Sequence, residues 1–420
     1  KIEWFEKARL GIFIHWGLYS ATEGYYNGEE TCGIVEWIQS REKIPNREYE
    51  RFAEKLSADC FDTDAIADLV KYAGAKYMVF TAKHHEGFAM FDSGFDDYSI
   101  NKKCGVQEDI VKKLTDSMRS RGIVPCLYYS QGVDFHEENA MGNTWDFERP
   151  ETERAFESYF NGKCKYQLRE LLTKYGDIGV IWFDVPWGIT ARRAKELRKY
   201  VQAFQPKCLI NGRLGGDTSD SDFLCMGDNE APYGRVSVCA ETAATTNDSW
   251  GYKRGDKNFK TPKMIIELLC AVASKGANLL LNIGPKPNGE IPCEAVDILK
   301  SLGNWMQINS DAIYATEASP FISDFSFGWV TQKDKNLFLF LKDPVRKITI
   351  YGLENEVLSA DSMAGDKVET NAACGELSLS LSNVRFADDV TVIKLVLDGK
   401  PNVKNILFQQ EQNYIMLPCC

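Results

Sequence analysis

The sequence predicts an α/β protein, with a (β/α)8-like, TIM-type barrel followed by a C-terminal antiparallel β-sandwich domain. Two changes of pattern along its 420 residues indicate this division. Up to about residue 315, short apolar runs alternate with segments that have apolar residues at helical spacing. After residue 320, short β-rich runs separated by Gly, Asp and Asn take their place. The chain is also longer than one hydrophobic core usually serves, so two domains are expected.

The first part contains seven apolar runs that we interpret as parallel strands. They are continuous instead of alternating, which is typical of strands buried on both faces. Helical patterns at residues 65–73, 109–118, 166–175 and 194–204 separate several of them. Seven or eight such units fit a barrel better than an open doubly wound sheet, and no glycine-rich dinucleotide fingerprint follows the first run. The runs are residues 11–15, 77–81, 123–130, 178–184, 208–211, 236–239 and 279–283.

The second part has the pattern of an antiparallel sandwich of about 100 residues. A helical segment at 294–309 precedes it, and we place the boundary near Ser319 and Pro320. The predicted domains are therefore a barrel at residues 1–319 and a sandwich at 320–420, the latter expected to support the barrel rather than to bind a ligand. The β-rich runs are residues 329–332, 337–341, 347–351, 377–381 and 390–396.

Composition narrows the possible partners. There are 49 basic and 60 acidic residues, a net charge of −11, which argues against a nucleic-acid ligand. No run approaches the roughly 20 apolar residues that cross a bilayer, so no membrane insertion is expected. The chain begins at Lys1 instead of Met, from which we expect a removed leader and a secreted, periplasmic or lysosome-like location. The 13 cysteines are odd in number and include no CxxC, which favours free thiols over a disulfide framework.

The polar residues that follow each apolar run are the candidates for chemistry, because the active site of a parallel barrel forms where its strands end. Three of the four histidines lie at such positions, together with Tyr, Trp, Asp and Arg. A single histidine after a strand is usually structural, but this concentration on one rim indicates a functional site. The strand ends are His15-Trp16-Gly17, Lys83-His84-His85-Glu86-Gly87, Tyr128-Tyr129-Ser130, Trp182-Phe183-Asp184 and Asn211-Gly212-Arg213.

Two kinds of site fit this set. His15, His84 and His85 with an Asp could bind a metal, but adjacent histidines on an extended chain point in opposite directions, and no HxH or HExxH spacing occurs. The alternative is a pocket of neutral hydrogen-bonding rings, an arginine and aromatic walls around a polyhydroxylated ligand, with carboxylates for bond breaking. We favour this pocket and expect no metal ion or other cofactor.

Glycoside hydrolysis needs two carboxyl groups, one to attack or activate water and one to protonate the leaving oxygen. Asp184 is the candidate nucleophile, because it directly follows an apolar strand and the next clear helix begins only near Ala191. The acid must be a carboxyl whose pKa is raised by apolar neighbours. Glu230 and Glu241 both follow the fifth run, and position alone does not separate them.

At these residues the chain resembles glycoside hydrolase family 29, the retaining α-L-fucosidases. The matching motifs occur in family order across about 300 residues. They are Trp4-Phe5 leading into Gly11-Ile12-Phe13-Ile14-His15-Trp16-Gly17, Glu36-Trp37, Thr81-Ala82-Lys83-His84-His85-Glu86-Gly87-Phe88, Tyr128-Tyr129-Ser130, Trp182-Phe183-Asp184, Asn211-Gly212-Arg213, Gly227-Asp228-Asn229-Glu230, Ser249-Trp250-Gly251-Tyr252 and Asn278-Leu279-Leu280-Leu281-Asn282-Ile283-Gly284-Pro285.

The resemblance implies a barrel with a β-sandwich, no metal, a fucosylated glycan as substrate, and double displacement with retention at the anomeric carbon. Asp184 would be the nucleophile. Retention predicts a separation of about 5–5.5 Å between its carboxyl group and that of its partner. The fucose pocket would consist of His15, Glu36, Trp37, His84, His85, Tyr128, Trp182 and Arg213, with Trp250 beside the apolar edge of the sugar.

In the family that the chain resembles, the acid/base lies in a variable segment. We favour Glu230 over Glu241, because the family acid often precedes the Glu-Thr segment that leads into Ser249-Trp250. Two departures stand out: Ala240 replaces the Trp that commonly precedes Glu241, and Glu108 replaces an Arg often seen before Asp109. The first is expected to open the aglycone side; neither touches the nucleophile.

Three other functions remain open at this point. An exo-glycosidase for α-L-galactosides would share every motif, a catalytically inactive fucose-binding protein would bind without turnover, and a metal-dependent hydrolase would be sensitive to chelator. The sequence leaves the cleaved linkage and the oligomeric state undetermined. Linkage preference is expected to depend on loops at residues 134–153 and 214–235.

Overall fold

The computed structural model describes residues 1–216, 220–373 and 375–404. Eight parallel strands form a barrel sheet, which confirms the predicted fold class. Each strand lies beside its neighbours in sequence, and the eighth pairs with the first. The strands are β1 (Leu10–Ile14), β2 (Tyr77–Lys83), β3 (Val124–Ser130), β4 (Val180–Asp184), β5 (Leu209–Ile210), β6 (Leu224–Cys225), β7 (Ala240–Thr245) and β8 (Asn278–Ile283).

The barrel closes between β5 and β6, which have two residues each. Asn211 and Phe223 form a parallel bridge beside them, and the Asp222 N–H donates to the Ile210 carbonyl at 2.7 Å. The sequence does not predict β6, because two residues make no recognisable apolar run. It also predicts a strand at 236–239, where the structure instead begins β7 at Ala240. This strand consists of Ala, Thr and one Glu, so it lacks the apolar signal of its neighbours.

Helices of ten residues or more in the described part of the chain cover the barrel. Four of them begin with a capping side chain, Asp62, Asp109, Thr190 or Thr261, that accepts hydrogen bonds from backbone N–H groups of the first turn. These helices are α1 (Thr63–Tyr72), α2 (Ile110–Ser120), α3 (Lys165–Lys174), α4 (Ala191–Phe204), α5 (Pro262–Ser274) and α6 (Cys293–Asn309). The late start of α4 leaves Asp184 outside any helix cap.

Shorter segments connect these elements. Tyr25–Tyr26 and Glu29–Glu30 form a small hairpin. The short helical segments are Glu3–Ala8, Leu18–Thr22, Val35–Trp37, Ile38–Arg41, Asn46–Tyr49, Glu50–Lys55, Ile100–Lys103, Glu151–Glu153, Phe156–Tyr159, Phe160–Cys164, Gly212–Leu214 and Ser310–Ala312.

The remaining strands form two antiparallel sheets, as the sequence predicts. The strands are β9 (Gly328–Lys333), β10 (Asn336–Leu341), β11 (Lys347–Tyr351), β12 (Val357–Ser362), β13 (Glu369–Ala373), β14 (Glu376–Ser380) and β15 (Thr391–Leu397). One sheet has the order β9-β10-β15-β12 and the other β11-β14-β13. Trp305 of α6 donates its indole N–H to the Val390 carbonyl at 2.7 Å, which ties the first sheet to the barrel. The boundary at residues 319 and 320 stays a prediction.

Two features of the whole chain complete this description. No helix among the described residues is long and apolar enough to cross a membrane. Ten cysteines fall in the described part, and each of these is a free thiol. Cys374, Cys419 and Cys420 lie outside the described residues.

Aromatic side chains fill the barrel interior and form the floor beneath the strand ends. Phe13, Tyr77, Tyr128, Trp182 and Phe223 belong to one buried cluster. Room for the Tyr77 ring comes from a glycine at position 11, where a methyl group would lie 2.4 Å from the ring. The rigid floor therefore follows from large rings packed against a residue without a side chain.

Candidate active site

A pocket lies at the carboxyl ends of the barrel strands, where the sequence predicts the site. It brings together Asp184 and all nine residues predicted to bind substrate, although they come from strands, loops and a short helix. Phe13, Ile34 and Asp228 complete the lining. The predicted residues are His15, Glu36, Trp37, His84, His85, Tyr128, Trp182, Arg213 and Trp250.

Asp184 ends β4 with its carboxylate held from several sides. The Tyr128 hydroxyl donates to Oδ2 at 3.1 Å, and Arg213 Nη1 donates to Oδ1 at 3.1 Å. The His85 Nε2 atom lies 3.6 Å from Oδ2. The Asp184 backbone N–H donates to the Gln131 side chain at 2.9 Å. The carboxylate is therefore fixed in position but remains partly exposed to the pocket.

His15 and His85 are neutral rings, because burial lowers the pKa of each to about 3. The Asn282 amide donates to the Trp250 carbonyl, so its oxygen faces His15 Nδ1 at 2.6 Å, and this nitrogen must carry the proton. Ser130 donates to the Val133 carbonyl and in turn accepts from His85 Nδ1 at 2.8 Å. Each ring is left with Nε2 as an acceptor, which suits a ligand with hydroxyl groups.

His84 lies between these rings and stacks on Tyr128, with ring centroids 5.0 Å apart. Burial lowers its pKa well below the usual value. Its Nδ1 lies 3.8 Å from a carboxylate oxygen of Glu86, whose own pKa burial raises to about 8. Potential ligand atoms of His84, His85 and Asp184 lie within 4.8 Å of one another, so this side of the pocket could also accept a cation.

Glu36 and Trp37 enter the pocket from the short helix Val35–Trp37. The Glu36 carboxyl accepts from the Trp250 N–H at 3.2 Å and from the Ser249 hydroxyl at 3.3 Å. Burial raises its pKa to about 7. Glu36 therefore ties the helix to the loop that carries Trp250, and a carboxyl oxygen remains near the ligand space.

The two glutamates predicted as acid/base candidates lie elsewhere. Glu241 is buried in the barrel, where it accepts from the Tyr77 hydroxyl at 2.6 Å and from the Trp182 indole at 2.8 Å. It pairs with Asn278, the first residue of β8, and so lies toward the opposite end of the barrel from the pocket. Glu230 is exposed on the loop after β6, outside the pocket lining.

Asp228 is the pocket carboxylate that the sequence reasoning missed. Arg213 bridges it to Asp184, because Nη2 of the same guanidinium donates to Asp228 Oδ1. The Arg213 guanidinium also lies 5.0 Å over the Trp182 ring. Asp228 follows β6, and an analysis of strand ends could not reach it without that strand. The signal was present in the Gly227-Asp228-Asn229-Glu230 motif.

The family comparison decides between the possible classes of protein, because the sequence profile of α-L-fucosidases matches residues 1–311. The chain belongs to the α-L-fucosidase family. Human plasma α-L-fucosidase is 30% identical over 85% of this chain and 79% of its own length. An α-L-fucosidase from Vibrio sp. strain EJY3 has a TM-score of 0.92 at 33% identity, with 96% of this chain and 74% of that chain covered.

A second solved α-L-fucosidase, from Lactobacillus casei in complex with α-L-fucose product, is 37% identical. It covers 74% of this chain and 100% of its own, with a TM-score of 0.69. These relatives confirm the resemblance to glycoside hydrolase family 29. The α-L-fucosidase family membership makes this chain a glycoside hydrolase.

Stability should depend on pH through Glu241. Burial raises its pKa from 4.5 to about 7, so the folded protein keeps a proton that the unfolded chain releases between these values. The fold therefore loses stability as pH rises through this window. We expect Glu241→Gln, which cannot ionise, to gain up to about 3 kcal/mol relative to wild type between pH 4.5 and 8.

Urea unfolding of both proteins at pH 4.5, 6 and 8 measures this difference. Glu36 and Glu86 titrate in both proteins and cancel from the comparison. A difference between Glu241→Gln and wild type that stays constant across the three pH values would contradict the prediction.

Proposed function

We propose that this chain is a retaining exo-α-L-fucosidase that removes terminal α-L-fucose from oligosaccharides or glycoconjugates by double displacement. Among the described residues, three carboxyl groups line the pocket, and the observation that carries this proposal is that two of them, Asp184 and Asp228, share one Arg213 guanidinium. The third, Glu36, accepts hydrogen bonds from the loop at residues 249–250 instead. Retaining enzymes need two carboxyl groups about 5–5.5 Å apart, and a shared guanidinium supports such a spacing. Closure of the pocket by the barrel floor supports an exo mode of attack, since a sugar can enter only by its end.

The lining suits a 6-deoxy sugar. L-Fucose has hydroxyl groups that need donors and acceptors, and a methyl group that gains about 0.8 kcal/mol when an apolar surface covers it. His15 and His85 offer acceptors, and Arg213 offers donors. Phe13 and Trp250, with ring centroids 6.1 Å apart, offer the apolar surface.

In the proposed reaction, Asp184 attacks the anomeric carbon while an acid protonates the departing glycosidic oxygen. A covalent fucosyl-enzyme ester forms and the bond to the aglycone breaks. The carboxylate that gave up its proton in the first step then takes a proton from water. This water attacks the anomeric carbon, breaks the ester bond to Asp184 and releases fucose with its original configuration. Tyr128 and Arg213 keep the Asp184 carboxylate aimed at this carbon.

We assign the acid/base role to Asp228. Asp228 lines the pocket and shares the Arg213 guanidinium with Asp184, whereas Glu230 lies outside the lining and Glu241 lies beneath Trp182. Glu230 is the second candidate, because it is two residues from Asp228. The role that Glu241 supports best is positional: it fixes the Trp182 indole on which the Arg213 guanidinium lies.

Hydrolysis of aryl α-L-fucoside, followed by NMR of the first anomer released, tests the proposal. We expect α-L-fucose first and faster turnover than with the matching α-L-galactoside. A β-anomer would overturn retention, and faster L-galactoside turnover would overturn the substrate assignment. Saturable fucose binding without turnover would favour the binding protein. Activity lost to chelator and restored by metal would show that the pocket acts through a cation.

A further inference from the structure

Trp187 exposes its indole ring at the mouth of the pocket. It lies three residues beyond Asp184, in the turn that leads from β4 toward α4, and 51% of the residue is accessible to solvent. Its ring contacts Trp37, with centroids 6.0 Å apart and planes at 62°. Trp37 lines the pocket and contacts His85 at 4.8 Å, but Trp187 lies outside the lining. The exposed indole therefore continues the aromatic wall outward from the pocket.

The backbone under this ring is fixed. The Trp187 N–H donates to the Val185 carbonyl at 2.8 Å. Val185 has a φ of +46°, a conformation that a β-branched residue adopts only when its surroundings impose it. The Trp187 carbonyl oxygen packs against Gly132 so closely that a Cβ at this position would lie 2.1 Å from it. The Arg193 side chain donates to the Gly188 carbonyl at 2.6 Å.

A single exposed tryptophan on a flexible loop would need no explanation. Here, however, a turn with a strained backbone and several hydrogen bonds keeps the apolar face of an indole ring exposed to solvent. Such strain clusters at ligand-binding positions. The turn begins at Asp184, the carboxylate that attacks the anomeric carbon in the proposed reaction. The group attached to that carbon leaves through the mouth, past the residues that border it.

We propose that the Trp187 indole is the platform of a subsite for the first sugar beyond fucose, stacking on the apolar C–H face of a pyranose ring. This inference rests on the proposed function and names its substrate class: fucosyl oligosaccharides in preference to fucosides with small leaving groups. An exposed aromatic face attracts such a ring because stacking removes apolar area from water on both partners.

The test compares two substrates that share fucose and differ beyond it. α-L-Fucosyl fluoride has no ring in its leaving group, and the second substrate is the fucosyl disaccharide that wild type cleaves fastest among the α1,2, α1,3, α1,4 and α1,6 isomers. The quantity measured is the ratio of kcat/KM for disaccharide to kcat/KM for fluoride. We expect Trp187→Ala to lower this ratio about tenfold and Trp187→Phe, which keeps a ring, to lower it less.

Phe204→Ala is the matched control, because Phe204 is a partly exposed aromatic residue at the far end of α4. Its ratio should equal that of wild type. An unchanged ratio in Trp187→Ala would overturn the platform. An equal loss on both substrates would also overturn it, because the ring would then serve only to support Trp37.

Trp187→Leu, which retains apolar volume without a ring, supplies the same comparison if the alanine variant unfolds. Failure of the proposed function has a different signature. Wild type would then turn over neither the disaccharide nor the fluoride, whereas failure of the platform leaves both activities of wild type intact.

Discussion

Asp184→Asn should lower kcat for aryl α-L-fucoside by about 10³–10⁵-fold, a loss of about 4–7 kcal/mol of transition-state stabilisation. The amide cannot form the fucosyl ester. The amide oxygen can still accept a hydrogen bond from Arg213, and the amide nitrogen can donate one to the Tyr128 hydroxyl, so the pocket should keep its shape. We therefore expect fucose to bind with nearly the wild-type Kd while turnover is lost. Calorimetry and initial rates measure these two effects separately.

Asp97→Asn is the matched control, since Asp97 pairs with Lys102 on the surface and has an 86% exposed side chain. It should keep wild-type kcat. The smaller variant Asp184→Gly adds a stereochemical readout. Azide that enters the vacated space attacks from the nucleophile's face, so the product should be β-L-fucosyl azide. Retention of more than a tenth of wild-type kcat in Asp184→Asn would contradict the assignment.

The position of Asp184, the proposed nucleophile, could be predicted because the ends of buried strands can be recognised in the sequence. Asp184 is the last residue of a buried strand, and the carboxyl ends of parallel strands share one rim. The same rule reaches His15, His84 and Tyr128. It cannot reach Trp250, which lies in the loop after β7, and that residue was found through the family motifs.

The location of the Glu241 carboxyl group could not be predicted from the sequence. A carboxylate on a short strand of small residues can face the barrel interior or the pocket, and only the pairing register with β8 decides this. Burial raises the pKa of Glu241, as a general acid requires, yet its carboxyl group accepts hydrogen bonds from Tyr77 and Trp182 inside the barrel. Asp228 was missed for the complementary reason, because a two-residue strand leaves no apolar run to mark the rim.

The Trp187 turn could be predicted only in part. A Pro-Trp-Gly sequence after a strand indicates a turn away from the barrel mouth. What fixes its path is the approach of the Trp187 carbonyl to Gly132, which lies at the end of a different strand. Contacts between residues distant in sequence set this geometry, and no local pattern encodes them.

Asp228→Asn should produce a loss that depends on the leaving group. Fucosides with poor leaving groups need protonation of the departing oxygen, so we expect kcat/KM to fall about 10²–10⁴-fold for disaccharides. Dinitrophenolate is a good leaving group that departs without protonation. The kcat/KM for dinitrophenyl fucoside should therefore change less than tenfold. The fucosyl-enzyme then accumulates, because water lacks its base. Added azide needs no base and should raise kcat for this substrate, giving α-L-fucosyl azide.

Glu230→Gln and Glu241→Gln complete the comparison under the same conditions. The exposed Glu230 and the buried Glu241 should each tolerate the amide with less than a tenfold loss on disaccharides, and azide should not raise kcat. Azide rescue in Glu230→Gln in place of Asp228→Asn would move the acid/base two residues along the loop. An acid/base variant should give the α-azide, whereas Asp184→Gly should give the β-azide, because azide attacks opposite faces of the anomeric carbon in the two cases. The configuration of the product alone would then distinguish the two carboxyl roles.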